Sequence, residues 1–488
     1  MPYTLGIDFG GGASKATLLS SDGTIAATNT VEYPTSYPAP GMAEQNPFDW
    51  YDATRRNISA VIEKSGVNPS EIAAVALDAA THTAVLCDRD FNVVRPSIYW
   101  TDSRSTEEVA FLRREYGDFI YNHVLHRPDT IWTLPQLMWI KKHEPEIWAK
   151  VDRIMFAKDF VRHMLTGDYV TDHIEAEGSM FFDYTTLSWS EELCALLGFP
   201  VGKLPEIVKP TDFVGKITPA AAKDTGLLAG TPVVCGTTDT VMEVFAAGAV
   251  KKGQMTLKLA TAGRICVITD RAFPDRNLIN YSHIADGLWY PGTATKACAS
   301  SLRWYRDTFG GDYRSIDDAA SKIPVGSEGL VFHPYINGEL TPYADPKLCG
   351  SFIGVRANHT KAHFDRAVLE GVAMSMLDCK KALESIGIEH SDKATIIGGG
   401  ASSPLWRQIV ADALGFTLVQ NQDSDSSFGT AMLAGVSAGI FADFESALSK
   451  CVRVKSTTTP DPGKAGLYEK LFARYKAVHD ALAPIYDA

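Results

Sequence analysis

Residues 232–250, PVVCGTTDTVMEVFAAGAV, constrain the fold of this chain most strongly. The apolar run at 233–235 lies between Pro232 and Gly236, which is typical of a fully buried strand. Behind Asp239, apolar residues recur at helical spacing, so a helix is expected after the turn. A buried strand that turns into a helix predicts an open α/β sheet, and such sheets bind ligands at this end of a strand. Asp239 is therefore a candidate site residue, although Asp is also a favoured helix N-cap, and both interpretations stay open here.

The length and composition predict a soluble protein with more than one domain. A chain of 488 residues exceeds one ordinary core, so two or three domains are expected. A hydrophobic content of 45% and a charged content of 21% are typical of a globular protein. The formal net charge of −12 argues against nucleic acid or an anionic membrane as the main partner. The eight Cys show no C-x-x-C spacing, which predicts neither a zinc site nor a disulfide framework.

The sequence also predicts a cytoplasmic location. The opening residues, MPYTLGIDFG, include an acid at position 8 and no basic region, unlike a secretory signal peptide. The longest charge-free run, residues 426–442, is rich in Gly and Ser and shorter than the ~20 apolar residues that span a membrane. Reduced, scattered thiols are the usual state of Cys in the cytoplasm.

The first strands surround a glycine-rich loop that is a candidate phosphate site. Residues 4–8 and 15–19 are expected to be strands on either side of the glycines at 10–12, and residues 24–31 continue the meander. The P-loop pattern is absent, and this glycine loop does not open a helix as a dinucleotide fingerprint would. A glycine loop between antiparallel strands can offer backbone N–H groups to a phosphate, or it can be only a flexible hairpin tip.

The second half of the chain restarts with the same layout. After the polar residues 251–254, which are the expected hinge, strands at 255–259 and 264–269 flank a turn of small residues. This shared layout predicts a duplicated architecture with domains at 1–249 and 250–488.

A third glycine-rich segment lies further along the second half. A strand at 395–397 ends in GGGA at 398–401, and a helix is expected at 404–414. Because bulky side chains are missing there, a nucleotide could approach the backbone closely.

Polar side chains near two strand ends in the first half are further candidates. His82 follows a buried strand at 73–77, and Trp100, Asp102 and Arg104 follow another. His82 would more often be a satisfied loop histidine than a ligand contact. The other three residues could equally form a structural ion-pair corner.

Together these motifs resemble the FGGY carbohydrate kinases, and most closely their xylulokinase-like branch. The resemblance extends over nearly the whole chain, from IDFG at 7–10 to FGTA at 428–431. Its most specific segments are residues 236–250, residues 337–354 with DP at 345–346 and G-x-F at 350–352, residues 366–371, and residues 398–412 with WRQ at 406–408.

The resemblance implies an α/β protein of two actin-like (ribonuclease-H-like) domains with an interdomain cleft. The N-terminal domain would carry the sugar site, the first phosphate loop and the catalytic Asp, and the C-terminal domain would bind the nucleotide. The implied activity is that of a magnesium- and ATP-dependent transferase that phosphorylates a sugar hydroxyl, with D-xylulose as the first expectation and D-xylulose 5-phosphate as its product. The alternatives are a kinase of another ketose, a polyol or a sugar acid, and a non-catalytic sugar or nucleotide sensor. The implied partners are the sugar and MgATP, with a homodimer as an option.

The resemblance also implies a role for each candidate residue. Asp239 would be the general base that takes the proton of the attacking sugar hydroxyl. Asp8 would help to hold Mg²⁺, through water. The first phosphate loop would comprise Gly10, Gly11, Gly12, Ser14 and Lys15. The second phosphate loop would comprise Thr261, Ala262 and Gly263. The adenosine site would comprise Gly399, Gly400 and Ala401. The sugar contacts, besides Asp239, would be Thr81, His82, Trp100 and Asp102.

The sequence departs from the family pattern at several of these places. The glycines at 10–12 stand where the family usually has Gly-Thr followed by Ser or Thr, and LATAG at 259–263 replaces a Gly-Thr-Ser type of turn. Leu340 replaces a usual Arg, and ATHT at 80–83 replaces the Gln-Met-His-Gly of typical xylulokinases. Backbone N–H groups can still bind phosphate, so activity is expected. The changed polar residues near the sugar leave the identity of the sugar open, because such residues set specificity.

Overall fold

The computed structural model describes residues 1–486, which divide into two compact units. Unit 1 contains Met1–Gly248, Tyr281–Asp286 and Asp423–Val452. Unit 2 contains Ala249–Asn280, Gly287–Gln422 and the chain from Arg453 onward. Each unit is a mixed α/β structure, which confirms the predicted fold class. The predicted domain boundaries, 1–249 and 250–488, stay a prediction, and each unit draws on three stretches of chain.

The strands of unit 1 precede those of unit 2 along the chain. Those of unit 1 are β1 (Tyr3–Phe9), β2 (Ala13–Ser20), β3 (Ile25–Glu32), β4 (Glu44–Gln45), β5 (Ile72–Ala79), β6 (Ala84–Cys87), β7 (Ser97–Ile98), β8 (Arg153–Phe156), β9 (Val170–Asp172), β10 (Phe182–Asp183), β11 (Ser188–Trp189), β12 (Glu206–Val208), β13 (Phe213–Lys216), β14 (Pro232–Val234) and β15 (Thr237–Thr238). Those of unit 2 are β16 (Met255–Leu259), β17 (Gly263–Val267), β18 (Gly292–Ala294), β19 (Val331–His333), β20 (Ser351–Ile353), β21 (Lys393–Ile397), β22 (Thr417–Asn421) and β23 (Val454–Thr458).

The helices alternate between the units in the last part of the chain. In chain order they are α1 (Pro47–Ser65), α2 (Thr106–Glu115), α3 (Gly117–Val124), α4 (Thr133–His143), α5 (Pro145–Trp148), α6 (Ala157–Thr166), α7 (His173–Gly178), α8 (Glu191–Leu197), α9 (Pro219–Thr225), α10 (Asp239–Ala246), α11 (Ala299–Phe309), α12 (Tyr313–Ala320), α13 (Lys361–Ser385), α14 (Pro404–Leu414), α15 (Ser426–Ser437), α16 (Phe444–Cys451) and α17 (Ala465–Tyr486). Helices α15 and α16 belong to unit 1. Within residues 1–486, none of these helices combines the length and apolar character needed to cross a membrane.

The main sheet of unit 1 has the strand order β13-β14-β5-β1-β2-β3, with β15 also paired to β5. Strands β1, β2 and β3 form the predicted antiparallel meander, and β5 runs parallel to β1. Strand β14 is parallel to β5 and antiparallel to β13. Because β1 and β5 are parallel neighbours, their carboxyl ends lie side by side, and the candidate acids lie at these ends.

Helix α15 packs directly on β1 at Gly6. A Cβ built on Gly6 would lie 2.1 Å from the carbonyl oxygen of Ser427 and 2.2 Å from the backbone nitrogen of Ala431, so only glycine allows this approach. On the opposite face of the sheet, Leu5 and Ile7 are fully buried in the core that includes α1. Alternation along the strand therefore directs the side chain of Asp8 to the same face as Gly6 and α15.

The main sheet of unit 2 repeats the arrangement of unit 1. Its order is β18-β17-β16-β21-β22-β23. The successive pairs are antiparallel, antiparallel, parallel, parallel and antiparallel, the same series that runs from β3 to β13 in unit 1. The layout shared by the two halves of the sequence is thus present in the structure. Helix α13 supplies much of the core of unit 2.

Candidate active site

Asp239 lies where a short strand of unit 1 passes into a helix. Strand β15 runs beside the end of β5, with Thr237 opposite Asp78. Helix α10 begins at Asp239 itself, and Thr238 occupies the N-cap position. The N-cap interpretation of Asp239 is therefore wrong, because its carboxylate is in the first helical turn, where the helix dipole favours a negative charge. Thr240 donates a hydrogen bond of 3.2 Å to Oδ1 of Asp239.

The turn before Asp239 requires glycine at position 236. Gly236 has a φ of 73°, in the left-handed region. A Cβ at this position would lie 1.8 Å from the carbonyl oxygen of Leu77 on β5. Only glycine meets both conditions without a backbone rearrangement. It allows the turn to pass close to β5 and so brings Asp239 to the end of that strand.

Asp8 and Asp78 face each other at the ends of β1 and β5, where they are opposite in register. Burial raises the pKa of Asp8 to about 7; the charge of Asp239 adds to this effect, and hydrogen bonding to Asp78 and Ser426 opposes it. Burial and the charge of Asp8 raise the pKa of Asp78 well above its usual value. Both shifts have the same direction, so the folded protein binds a proton at this pair more tightly than isolated carboxyls would when no cation is bound.

Asp78 is a candidate site residue that the sequence analysis missed. Its side chain is fully buried and accepts a hydrogen bond from Thr430 on α15. Apart from the bond between the two carboxyls, Oδ1 of Asp8 and Oδ1 of Asp78 accept no hydrogen bond from residues 1–486. A signal was available in the sequence, because Asp78, like Asp8 and Asp239, follows a buried apolar strand.

The facing carboxyls fit a hard divalent cation. Mg²⁺ prefers oxygen ligands and is usually held by one or two carboxylates together with waters and substrate phosphates. Within the described chain, no group of three or more His, Cys, Asp or Glu is arranged to hold a metal by itself. The buried oxygens of Asp8 and Asp78 are consistent with a cation that is held by one or two carboxylates together with waters and substrate phosphates.

The first glycine loop holds its carbonyl groups within the protein. The carbonyl of Gly10 accepts a bond of 2.5 Å from the Tyr33 hydroxyl, and that of Gly11 accepts one of 2.8 Å from Nε2 of Gln45. The carbonyl of Gly12 accepts a bond of 3.0 Å from the backbone N–H of Tyr33. The N–H groups of Gly11 and Gly12 make no hydrogen bond within residues 1–486. The loop is therefore anchored through its acceptors and keeps two donors for a ligand, as phosphate binding requires.

The side chains of Ser14 and Lys15, predicted to contact phosphate, are buried or paired within the protein. Ser14 is fully buried in the sheet, so its hydroxyl is not directed to solvent. Lys15 forms an ion pair of 2.9 Å with Asp425, and both side chains are about one-third exposed. Asp425 is also the N-cap of α15, where it accepts a bond from the N–H of Phe428. Their part in phosphate binding stays a prediction.

The second loop, in unit 2, has the same design as the first. The carbonyl of Thr261 accepts bonds from the N–H of Cys298 at 3.0 Å and from the hydroxyl of Ser300 at 2.8 Å. The N–H groups of Thr261 and Ala262 make no hydrogen bond within the described chain, whereas that of Gly263 bonds Thr295. Thr261 and Ala262 thus have available donors, and Gly263 does not.

An arginine beside the second loop was also missed by the sequence analysis. Nη2 of Arg303, on α11, donates a bond of 3.2 Å to the hydroxyl of Thr261. Arg303 is exposed, so its remaining donors are accessible to an anion. Its distance of 42 positions from Thr261 in the chain explains why no local pattern indicated it.

The predicted adenosine segment follows β21 as a short turn. Gly399 has open space around its Cβ position. A Cβ on Gly400 would lie 2.9 Å from the ring of Trp406, and Ala401 is 2% exposed. Of the three predicted residues, Gly399 is therefore the one that leaves room for a ligand, and the other two pack inside unit 2.

His82 adopts an unusual backbone conformation beside α7, with a φ of 56°. Its N–H donates to Oε1 of Glu175 at 2.5 Å, and its carbonyl accepts from the Thr133 hydroxyl at 2.6 Å. Burial lowers the pKa of His82 to about 3, and a hydrogen bond from the ring to the carbonyl of Ile131 opposes this effect. The imidazole is therefore neutral, and its buried Nδ1 accepts no bond from residues 1–486.

The other predicted sugar residues differ in exposure. Trp100 is 43% exposed, and Thr81 is half-buried against α7 at Gly178. Asp102 is 1% exposed and makes a bidentate ion pair with Arg104. Asp102 thus forms the ion-pair corner that was the alternative interpretation, and a direct contact with sugar stays a prediction.

A duplicated actin-like fold, with acids at strand ends and loops that present N–H groups, is typical of ATP-dependent phosphotransferases. Comparison with known proteins agrees. Residues 3–246 match the N-terminal domain of the FGGY family of carbohydrate kinases, and residues 233–438 match its C-terminal domain. The chain therefore belongs to the FGGY family of carbohydrate kinases.

Two relatives are similar over nearly their full length. The xylulose kinase of Bacillus subtilis (strain 168) is 30% identical, over 98% of this chain and 97% of the relative. The gluconokinase of the same organism is 28% identical, over 96% and 94%. The crystal structure of xylulose kinase from Rhodospirillum rubrum superposes with a TM-score of 0.93 at 29% identity and full coverage of both chains. The chain is thus a sugar kinase, a transferase of carbohydrate metabolism that uses ATP.

Proposed function

We propose that this kinase phosphorylates D-xylulose to D-xylulose 5-phosphate with Asp239 as the general base. The observation that carries the proposal is the position of Asp239, in the first turn of α10 beside the ends of β1 and β5. Phosphoryl transfer needs mainly positioning and charge stabilisation, and a carboxylate fixed by a strand-to-helix turn can accept the proton of one hydroxyl.

Phosphate binding in this proposal depends on backbone donors. The N–H groups of Gly11 and Gly12 in unit 1, and of Thr261 and Ala262 in unit 2, are the candidate contacts. Asp8 would hold Mg²⁺, through water, and the cation would neutralise charge on the nucleotide phosphates. Unit 1 would provide the sugar site and unit 2 the adenosine site near Gly399, in line with the division at 249/250. A cytoplasmic, homodimeric enzyme is part of the same proposal.

The charge of the candidate sugar residues favours a neutral sugar over a sugar acid. His82 is neutral and offers Nδ1 as an acceptor to a hydroxyl. Arg104, the cation two positions from Asp102, already pairs with that carboxylate. The similar identities to a xylulose kinase and a gluconokinase do not decide between these substrates. A kinase of a sugar acid, another ketose or a polyol is therefore the second candidate.

A screen of ATP consumption over pentuloses, hexuloses, polyols and aldonates tests the substrate. We expect saturable ADP release with D-xylulose and little with aldonates. Turnover of another sugar with D-xylulose inert would replace the first candidate by the second. The absence of any sugar-dependent ADP release would support the non-catalytic sensor.

The variant Asp239→Asn tests the general base. We expect kcat to fall by at least about 100-fold, since a general base contributes about 10²–10⁴-fold, while the protein remains folded. Asp49→Asn is the matched control, because Asp49 is also an acid in the first turn of a helix, α1. Near-normal turnover by Asp239→Asn would refute the assignment.

A further inference from the structure

A cluster of buried ion pairs lies next to the turn that carries Asp239. It consists of Lys158, Asp159, Arg162, Asp168 and Asp172, whose side chains are at most 6% exposed. Burial alone would lower the pKa of Lys158, but the carboxylates of Asp159 and Asp172 outweigh burial and raise it. Desolvating such pairs is costly and often leaves no net gain in stability, so the cluster calls for a reason other than stability.

The cluster binds the turn before Asp239 at two points. The hydroxyl of Thr237 donates a bond of 2.7 Å to Oδ1 of Asp172. Nη1 of Arg162 donates a bond of 2.7 Å to the carbonyl of Cys235. Lys158 forms an ion pair with the other oxygen of Asp172, with Nζ at 2.8 Å from Oδ2. Asp172 thus pairs with Lys158 through one oxygen and accepts the Thr237 hydroxyl of the turn through the other.

The same carboxylate also supports the segment of His82. Oδ1 of Asp172 accepts bonds from the N–H groups of Ile174 and Glu175, at 3.0 and 3.2 Å, and so begins helix α7. Glu175 then accepts the N–H of His82, whose left-handed backbone needs such support. One side chain therefore connects the turn of the candidate base with a candidate sugar-binding segment.

We propose that Asp172, held by Lys158, is a positioning residue that orients the Asp239 turn through Thr237 and the His82 segment through Glu175. This inference rests on the proposed function, because it assumes that Asp239 is the base. An apolar replacement could fill the same space but would supply no acceptor for Thr237 or for the start of α7.

The pair Thr237→Val and Thr237→Ser tests the contact with little change in volume. Valine removes the hydroxyl that bonds Asp172, and serine keeps it. We expect Thr237→Val to lower kcat by about 10- to 100-fold, since small misplacements of catalytic groups cost that much, with KM for ATP unchanged. We expect Thr237→Ser to retain most of the wild-type kcat.

Thr4→Val is the matched control. Thr4 is 2% exposed on β1 of the same sheet, and its hydroxyl donates a bond of 2.8 Å to the carbonyl of Ala431. We expect Thr4→Val to lose a similar amount of stability and to keep kcat. An equal loss of kcat in the two valine variants, wild-type kcat in Thr237→Val, or failure of serine to rescue would each overturn the proposal.

Hydrogen–deuterium exchange gives a readout that does not depend on turnover. We expect Thr237→Val to speed exchange of residues 235–241 by about five- to tenfold, as the loss of one buried hydrogen bond predicts, and Thr4→Val to leave it unchanged. If the wild-type protein phosphorylates no sugar, the proposed function falls, and this comparison still decides whether Asp172 holds the turn. Unchanged exchange in Thr237→Val would refute the inference.

Discussion

Glu175 is a buried carboxyl that accepts a hydrogen bond from the backbone of the His82 segment. Burial raises its pKa well above the usual value, and its Oε1 accepts the N–H of His82. We expect Glu175→Gln to leave stability and sugar KM nearly unchanged, because glutamine keeps the acceptor and brings no charge into the buried site. Glu175→Leu should cost about 1–3 kcal/mol, since it leaves a buried N–H unpaired, and should raise the sugar KM. Denaturant unfolding and initial rates measure both effects, and equal behaviour of the two variants would contradict this role.

Glu177, two positions further on, makes stability depend on pH. Burial raises its pKa to about 8, although the N–H and hydroxyl of Ser282 donate to it at 2.8 and 2.5 Å. A folded pKa above the unfolded value of 4.5 means that the folded state binds the proton more tightly. The resulting stability is complete below pH 4.5 and is lost as the pH rises through 8.

The variant Glu177→Gln isolates this effect. Glutamine stays neutral, accepts the Ser282 N–H and donates to the Ser282 hydroxyl. We expect the melting temperature of the wild type to fall between about pH 5 and 8, the range between the unfolded and folded pKa values, and that of the variant to fall less. Glu192→Gln, at an exposed position on α8, is the control and should follow the wild type. Identical pH profiles for the wild type and Glu177→Gln would be evidence against a buried proton on Glu177.

At the scale of elements, the sequence correctly predicted the strands and helices whose positions depend on local residue patterns. The meander at residues 4–31, the helix after Asp239 and the restart at 255 all follow from apolar periodicity and turn residues, and the structure contains them. The helix boundary at Asp239 was the exception, because Thr238 and Asp239 are both good N-caps and only the backbone angles decide between them.

Contacts between distant elements were not predictable from local pattern. The carbonyl anchors of the glycine loop come from Tyr33 and Gln45, more than 20 positions away. Thr237 lies 65 positions from Asp172, and no periodicity connects them. The packing of α15 on β1 of unit 1 could not be predicted either. The small residues of α15 indicate close packing but do not identify the partner strand.

The close approach of the Asp239 turn to β5 predicts a steep cost for any side chain at position 236. Gly236→Ala adds a Cβ 1.8 Å from the carbonyl of Leu77, besides the left-handed backbone. Gly230 has a similar φ of 91° with open space around it, so Gly230→Ala is the matched control. We expect about 1–2 kcal/mol of destabilisation for Gly230→Ala and at least about 2 kcal/mol more for Gly236→Ala, measured by denaturant unfolding. Equal losses would show that the turn relaxes away from β5.

At the scale of the whole molecule, the two main sheets share one strand arrangement but differ in the residues at their strand ends. Unit 1 contains Asp8, Asp78 and Asp239 at its strand ends. Unit 2 has no acid that corresponds to Asp8 or Asp78. The matching strands, β16 and β21, end at the LATAG and GGGA turns. In the proposed function, proton transfer and cation binding would therefore belong to unit 1, and unit 2 would bind the nucleotide.

Arg303 allows this division of roles to be tested. It bonds Thr261 on the second loop, so in the proposed function its guanidinium would contact a nucleotide phosphate bound there. We expect Arg303→Ala to raise the KM for ATP by about tenfold, the value of one charge-assisted hydrogen bond, and to leave the sugar KM unchanged. Arg306→Ala on the same helix is the control, because Arg306 pairs with Asp307 and should affect neither constant.

His82→Asn, in unit 1, should show the opposite pattern and raise the sugar KM alone. A rise in the sugar KM with Arg303→Ala would contradict the assignment of unit 2 to the nucleotide.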